Sequence, residues 1–418
     1  MAAARRRLGQ FEFTALLAAT MSMAALGIDL LLPAFGDIRT DLGLSVDSTA
    51  VAGLVTAYFL GLAIGQPVYG PISDALGRKP VLYASFGVYI VGALATSLAP
   101  TLPLLLGARF LWGLGAAGPR VITVAIIRDR YEGEEMSRAM SLVMSVFMLV
   151  PVFAPTIGAA GISVASWRWL FVACAIAAGL LALWMTRMSE TLAPEHRGDL
   201  NMGRLGRAAK MVVSNRQTVG YTLAMTSMYG GFTSYLASSE LIFGDVFGVG
   251  ERFPVIFGGL AIVMGFGMLL NARIVRQVGS ARLSHVTLMT YVVAAVVLLA
   301  TAMLGGGAPP LWAFLLTMAV VLFGHALIIP NFNTMAMAPM GAVAGMASSI
   351  VGAVQVAAGA LLGAVIDRMY DGTIVPFAAS LLTCGVVAVG LVAWAEGGTL
   401  TLLRRRPQPA QPVPSAVR

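Results

Sequence analysis

Long apolar runs, each closed by a short polar or Gly/Pro break, repeat along the whole chain. They fall near 11–32, 47–70, 81–99, 102–127, 138–162 and 168–187, then near 218–243, 253–275, 284–304, 311–335, 344–366 and 375–396. A helix needs about 20 mostly apolar residues to cross the hydrocarbon core, so the pattern predicts twelve transmembrane helices. A membrane β-barrel would instead show alternating segments of about ten residues. The predicted fold class is therefore an all-α membrane protein. One long polar interruption, 189–217, divides the runs six and six. The division predicts an N-terminal six-helix bundle over 1–188, a cytoplasmic linker over 189–217 and a C-terminal six-helix bundle over 218–403. The last stretch, 404–418, opens with Arg404-Arg405-Arg406 and continues Pro-rich without apolar periodicity, which predicts a disordered cytoplasmic tail.

Composition agrees: 11% of residues are charged, 58% are hydrophobic and the mean hydropathy is +0.85, against about 25% charged in a soluble domain. The net charge of +8 would suit nucleic acid if the basic residues formed one patch, but their placement follows the membrane. With the N-terminus inside, all of the 27 Lys and Arg lie on the cytoplasmic side except Arg39, Arg168, Arg252 and Arg368 outside and Arg109 and Arg120 within helices. That is the positive-inside bias; it places both termini in the cytoplasm and leaves nucleic acid out as a partner. Arg5-Arg6-Arg7 before an apolar run could open a signal peptide. No small-residue cleavage site closes the run, and Asp29 stands near its end, so it reads as a retained first helix. Cys174 and Cys384 each sit inside an apolar run with no metal-type neighbour and read as packing residues.

An ionisable side chain at membrane depth is costly unless paired or wetted, so it marks function by default. Asp29 lies about four residues from the outer end of the first helix. Arg109 lies at comparable depth in the antiparallel fourth helix. Arg120 follows by eleven residues, which returns it to nearly the same face about 16 Å deeper. Asp29 and Arg109 can form a static ion pair that glues two helices, or a proton-coupling site in a cavity that opens alternately. His325, at lipid depth in the tenth helix, reads as a packed hydrogen-bonding residue, and Glu240 as a wetted outer cap or a second acid lining the outer vestibule. Gly61-x-x-x-Gly65 and Gly359-x-x-x-Gly363 read as small-residue seams for close packing of the second and eleventh helices. No metal cluster, nucleotide loop or catalytic triad is evident, so the chain reads as no enzyme, with no metal and no cofactor.

Between the second and third helices stands Gly70-Pro71-Ile72-Ser73-Asp74-Ala75-Leu76-Gly77-Arg78-Lys79-Pro80. A fainter echo, Ala272 to Gly279, occupies the corresponding loop of the second half, with Arg276 where the first has Asp74. Halves that echo each other fit a transporter built from two related bundles. The first loop resembles the signature of the major facilitator superfamily. Further residues resemble its drug:proton antiporters of the bicyclomycin and chloramphenicol resistance type: Asp29-x-x-x-Pro33, YFLGLAIGQ from Tyr58 to Gln66, Arg109-Phe-Leu-x-Gly113, Arg128-Asp129-x-Tyr131, Ser166-Trp167-Arg168-Trp169-x-Phe171, Glu190-Thr191-Leu192 and Ala344-Gly345-Met-Ala-Ser348. Pro151 and Ala154-Pro155-Thr156-Ile157-Gly158-Ala159 resemble the antiporter motif of the fifth helix. The resemblance implies that Asp29 and Arg109 carry proton coupling, and Arg120 joins them as the second cation on the same stripe of the fourth helix. The resemblance implies equally that Asp74, Arg78 and Asp129 form a conformational latch, with Asp74 docked on the start of the eleventh helix. Some relatives carry another first-helix carboxylate where this chain has Met21. Tyr58, Met144, Phe147, Tyr229, Tyr235 and Asn331 are the candidate substrate-binding residues, because aromatic and methionine surfaces with a few polar groups suit apolar drugs of varied shape.

The implied function is efflux of small, largely neutral drugs of the chloramphenicol or bicyclomycin type in exchange for protons, by a monomer in a bacterial inner membrane. Its partners are the drug, protons and the lipid bilayer. A small-metabolite permease or proton symporter of the same fold is the alternative.

Overall fold

The computed structural model describes residues 9–398 except 47, 194, 196 and 198–201. The expected tail at 404–418 and the triplet Arg5 to Arg7 lie outside the described residues. Regular structure among the described residues is helical: α1 (Gln10–Asp29), α2 (Phe35–Asp41), α3 (Gly53–Leu76), α4 (Arg78–Leu98), α5 (Leu102–Arg130), α6 (Gly133–Val164), α7 (Arg168–Met185), α8 (Met202–Ser214), α9 (Arg216–Leu241), α10 (Phe253–Val278), α11 (Ser280–Leu304), α12 (Leu311–Met337), α13 (Ala344–Asp367) and α14 (Val375–Ala395). Among the described residues eleven helical stretches are long and apolar enough to cross a membrane. The exception among the long helices is α9, whose Ser, Thr, Gly and Tyr content lowers its hydropathy. It is enclosed by α13, α14 and α12.

Small residues set how closely the helices approach. A Cβ on Gly61 would strike the Phe110 carbonyl of α5, and one on Gly113 would strike the Tyr58 carbonyl of α3. Gly359 and Gly363 face Tyr229, Thr233 and the Ser234 backbone of α9. Each expected seam thus binds its helix to a neighbour in its own half, and does not join α3 to α13. The halves meet elsewhere: α3 lies along α13 and α6 along α10, where a Cβ on Gly258 would come within 2.8 Å of the Val152 carbonyl.

The echoed loops adopt one geometry. Gly77 joins α3 to α4 with φ 101° and ψ 155°, and Gly279 joins α10 to α11 with φ 84° and ψ 147°. In each the glycine N–H reaches back four residues, to Ser73 O at 3.1 Å and to Val275 O at 2.9 Å. Only glycine adopts this positive φ without strain. The polar linker, read from its charges as an interruption, contains the 13-residue helix α8 with Ala208 and Val212 buried.

Candidate functional site

Pro33 and the turn around it end α1. Leu31 N–H bonds to the Ile28 carbonyl at 3.3 Å and so releases its usual acceptor, the Gly27 carbonyl. A helix end in hydrocarbon must find another donor. Arg109 supplies it: Nη1 donates to Gly27 O at 2.7 Å and Nε to Leu54 O at 3.3 Å. The guanidinium also lies over the rings of Tyr58 and Trp112, 4.6 and 4.9 Å from their centroids. Gly27 is required beneath it, because a Cβ there would meet the Tyr58 hydroxyl at 2.6 Å. Tyr58 and Tyr89 donate to the Ala24 and Met23 carbonyls at 2.9 and 3.1 Å, so three donors in a row grip the last turns of α1.

Arg109 is fully buried and is therefore engaged with backbone; among the described residues it forms no ion pair with Asp29. The comparable depth expected for the two does not bring them into contact, because the opened carbonyls of α1 claim the guanidinium first. Asp29, 4% exposed, accepts no hydrogen bond and enters no ion pair among the described residues. Arg120 is half-buried and likewise has no polar partner among them. The charges of Asp29 and Arg120 both reach the hydroxyls of Tyr58 in the first half and Tyr229 in the second.

The candidate substrate residues divide. Tyr229 meets Phe59 of the other half edge-on at 5.7 Å and lies beside Phe232, on which the His325 ring stacks at 4.7 Å. Met144 and Phe147 are partly buried on α6. Tyr58 is fully committed to α1 and Arg109. Tyr235 stacks on Phe257 at 5.6 Å, and Asn331 donates from Nδ2 to Asn271 Oδ1 and Leu327 O, both at 2.7 Å, tying α12 to α10. These last three hold helices together within their own halves.

In the turn between α3 and α4 Arg78 is the hub. Its Nε donates to Asp129 Oδ2 at 2.8 Å, and its Nη1 reaches Ser73 Oγ at 2.8 Å and also Asp74. Asp74 has a side chain 57% exposed; its polar partner is Arg78, and no N–H of α13 among the described residues donates to it. Glu190 completes the turn, with its carboxylate accepting from the N–H groups of Arg78 and Lys79 at 3.0 Å each. A carboxylate here satisfies two of the four orphan donors of α4 and complements its dipole. Glu190→Ala is expected to destabilise the protein by about 1–2 kcal/mol, the usual cost of a lost helix cap, read as a lower melting temperature in detergent while Glu190→Gln loses less.

Glu240, near the end of α9, forms an ion pair with Arg39 of α2. Arg39 is only 3% exposed and also donates from Nε to Ser48 O at 3.2 Å. The pair ties the first half to the second, a role that neither reading of Glu240 from the sequence includes. Asp367 was missed altogether. It closes α13 at 4% exposure, and its Oδ1 accepts from Ser234 Oγ and Ser238 Oγ of α9, both at 2.7 Å. A signal was present: Gly359, Gly363 and Asp367 recur every four residues on one helix face, opposite Gly230, Ser234 and Ser238 with the same spacing on another. An eleventh helix ended at 366 left the acid in a loop.

A family model described as Major Facilitator Superfamily matches residues 17–363. The uncharacterized MFS-type transporter YdgK of Bacillus subtilis is 30% identical over 371 residues, covering 87% of this chain and 90% of the relative. A bicyclomycin resistance protein homolog of Haemophilus influenzae is 28% identical over 382 residues, covering 91% and 94%. Among solved structures, a D-xylose-proton symporter superposes with a TM-score of 0.74 at 15% identity over 93% of this chain and 99% of that one. At that identity the likeness is one of fold.

Proposed function

The chain belongs to the major facilitator superfamily, and we propose that this multi-pass membrane transporter exports small drug-like molecules in exchange for protons. Asp29 carries the reading: an acid at the break of α1, 4% exposed and without a polar partner among the described residues, is free to gain and lose a proton as water reaches it from alternate sides. The similarity to a bicyclomycin resistance homolog supports efflux as the direction. The two halves, 1–188 and 218–403, are the moving bodies, α9 is the twelfth spanning helix, both termini are cytoplasmic, and 189–217 joins the halves.

In the cycle, substrate enters from the cytoplasm or inner leaflet while Asp29 is ionised and Arg39 and Glu240 hold the outer faces together. Opening outward parts that pair. An external proton then neutralises Asp29, which favours release and removes the charge that opposes the return. Arg109 positions the end of α1, and Arg120 keeps a cation toward the cytoplasmic part of the same space. The membrane potential supplies about 2.3 kcal/mol per charge per 100 mV, enough to drive a substantial gradient of a neutral solute.

Drug accumulation in expressing cells tests the direction. With chloramphenicol and bicyclomycin as probes, an exporter lowers accumulation and an uncoupler restores it. A permease or symporter raises accumulation, and the uncoupler abolishes the rise; that result would overturn the reading.

A further inference from the structure

We propose that Asp367 is a second proton-binding carboxyl of this transporter, held by Ser234 and Ser238 and titrating in addition to Asp29. The inference rests on the proton-coupled reading above and extends it to the second half of the molecule. Its basis is an acid whose charged form has two hydroxyl donors and, among the described residues, no cation in contact.

Both hydroxyls donate to the same oxygen, Oδ1, at 2.7 Å, which leaves Oδ2 as the atom that takes the proton. When the group is ionised, two O–H donors solvate the anion where lipid cannot. When Oδ2 carries the proton, each serine can return its hydroxyl to the carbonyl four residues earlier on α9, as Thr222 and Thr226 do to Thr218 O and Thr222 O at 2.6 and 2.9 Å. Each serine hydroxyl therefore keeps an acceptor in either state, and Oδ2 alone changes as the proton comes and goes.

Among the described residues no cation pairs with the acid to fix it in one state. Beside Asp367, α9 contributes Ser234 and Ser238, with Tyr235 turned to Phe257 and Glu240 turned to Arg39. The segment 49–52 contributes no titratable group. From α3 come Tyr58 and Tyr69, with Asp74 at its far end, and from α14 comes Cys384. His325 of α12 is stacked on Phe232. In the loop that follows, Arg368 and Asp371 are exposed. Tyr370 donates to Asp245 at 2.7 Å; burial and that carboxylate hold its phenol above the ordinary range, so it remains protonated.

Access follows from position. Ser238 stands two residues before Glu240, so parting of Arg39 from Glu240 frees the end of α9 that covers Asp367 and admits outer water. On the cytoplasmic side the same face of α9 continues as Thr226, Thr222 and Thr218, all buried. The step is a proton transfer alone: outer water delivers H⁺ to Oδ2, and the proton leaves to cytoplasmic water after the halves have switched.

Infrared difference spectroscopy of the purified full-length protein, titrated across pH without any drug, tests this. The wild type is expected to show carboxyl bands from two buried acids. Asp367→Asn should remove one, Asp29→Asn the other, and Asp367→Glu should restore the first at a shifted frequency. Ser234→Ala and Ser238→Ala each remove a donor to the charged form, so each should raise the midpoint of the Asp367 band; a merely structural serine would leave it in place. Identical spectra for wild type and Asp367→Asn would overturn the proposal, as would a midpoint unmoved by both serine variants. Should Asp367→Asn not fold, the serine variants decide alone. The readout needs no transport, and the accumulation assay does not depend on Asp367, so the two readings fail separately.

Discussion

Asp29→Asn is expected to reduce drug-driven proton movement in inverted vesicles to the level of empty vesicles, while drug binding to the purified protein stays largely intact. Asparagine keeps the size and polarity of the side chain at the break of α1 and removes only its ability to take a proton. Because Asp29 has no hydrogen-bond or ion-pair partner among the described residues and is 4% exposed, the change strands no other group, so stability should be unchanged or raised by relief of a buried charge. The check is a pH-sensitive dye inside vesicles together with equilibrium binding of the same drug. Proton movement equal to wild type would remove Asp29 from the coupling step, and lost binding with lost stability would make it a structural residue.

Arg109→Ala is expected to cause the largest loss of stability of any single substitution considered. It leaves the Gly27 carbonyl without its donor, whereas the Leu54 carbonyl, inside α3, keeps the N–H four residues on; the stranded group costs about 1–3 kcal/mol, and the change also opens a void between Tyr58 and Trp112. Against the stability of many domains, about 5–15 kcal/mol, that is a large fraction. Arg109→Lys keeps a cation but not the planar fork that reaches two carbonyls while lying on two rings, so it should fall between. Thermal unfolding in detergent gives the order wild type, Lys, Ala. A melting temperature for Arg109→Ala equal to wild type would show that the carbonyls of α1 find other donors.

The apolar pattern made the helices legible because lipid imposes one rule over a span of about 20 residues; the observed helices overlap every run. What it left open was decided by contacts between distant residues. Asp29 and Arg109 stand at one depth with opposite charges, which suggests a pair. The backbone turn at Pro33 frees a carbonyl that takes the arginine instead, and sequence spacing does not carry that information. Glu190 is an ordinary acid in a polar linker until α4 brings its bare N–H groups to it. Tyr58 and Asn331 have the chemistry of a binding surface, yet each is used up by a helix neighbour, since a polar group in hydrocarbon takes a nearby partner wherever it can; Tyr235 spends its ring on Phe257, and among the described residues its hydroxyl has no hydrogen-bond partner. The Asp74, Arg78 and Asp129 grouping was legible because a short charged turn between apolar runs has few partners to choose from. Docking of Asp74 on α13 depends on how the halves stand, which a one-dimensional pattern does not encode.

The polarity of α9 has a consequence for how the molecule is made. Its buried face carries Thr218, Thr222, Thr226, Ser234 and Ser238, and central polar residues make solitary entry of a segment into lipid unfavourable. As the proposed twelfth span, this helix therefore depends on α13 and α14, synthesised more than a hundred residues later, to shelter it. A nascent chain ending before them would carry a segment that slips back into water, so the second half becomes committed to the bilayer only when its final helices emerge.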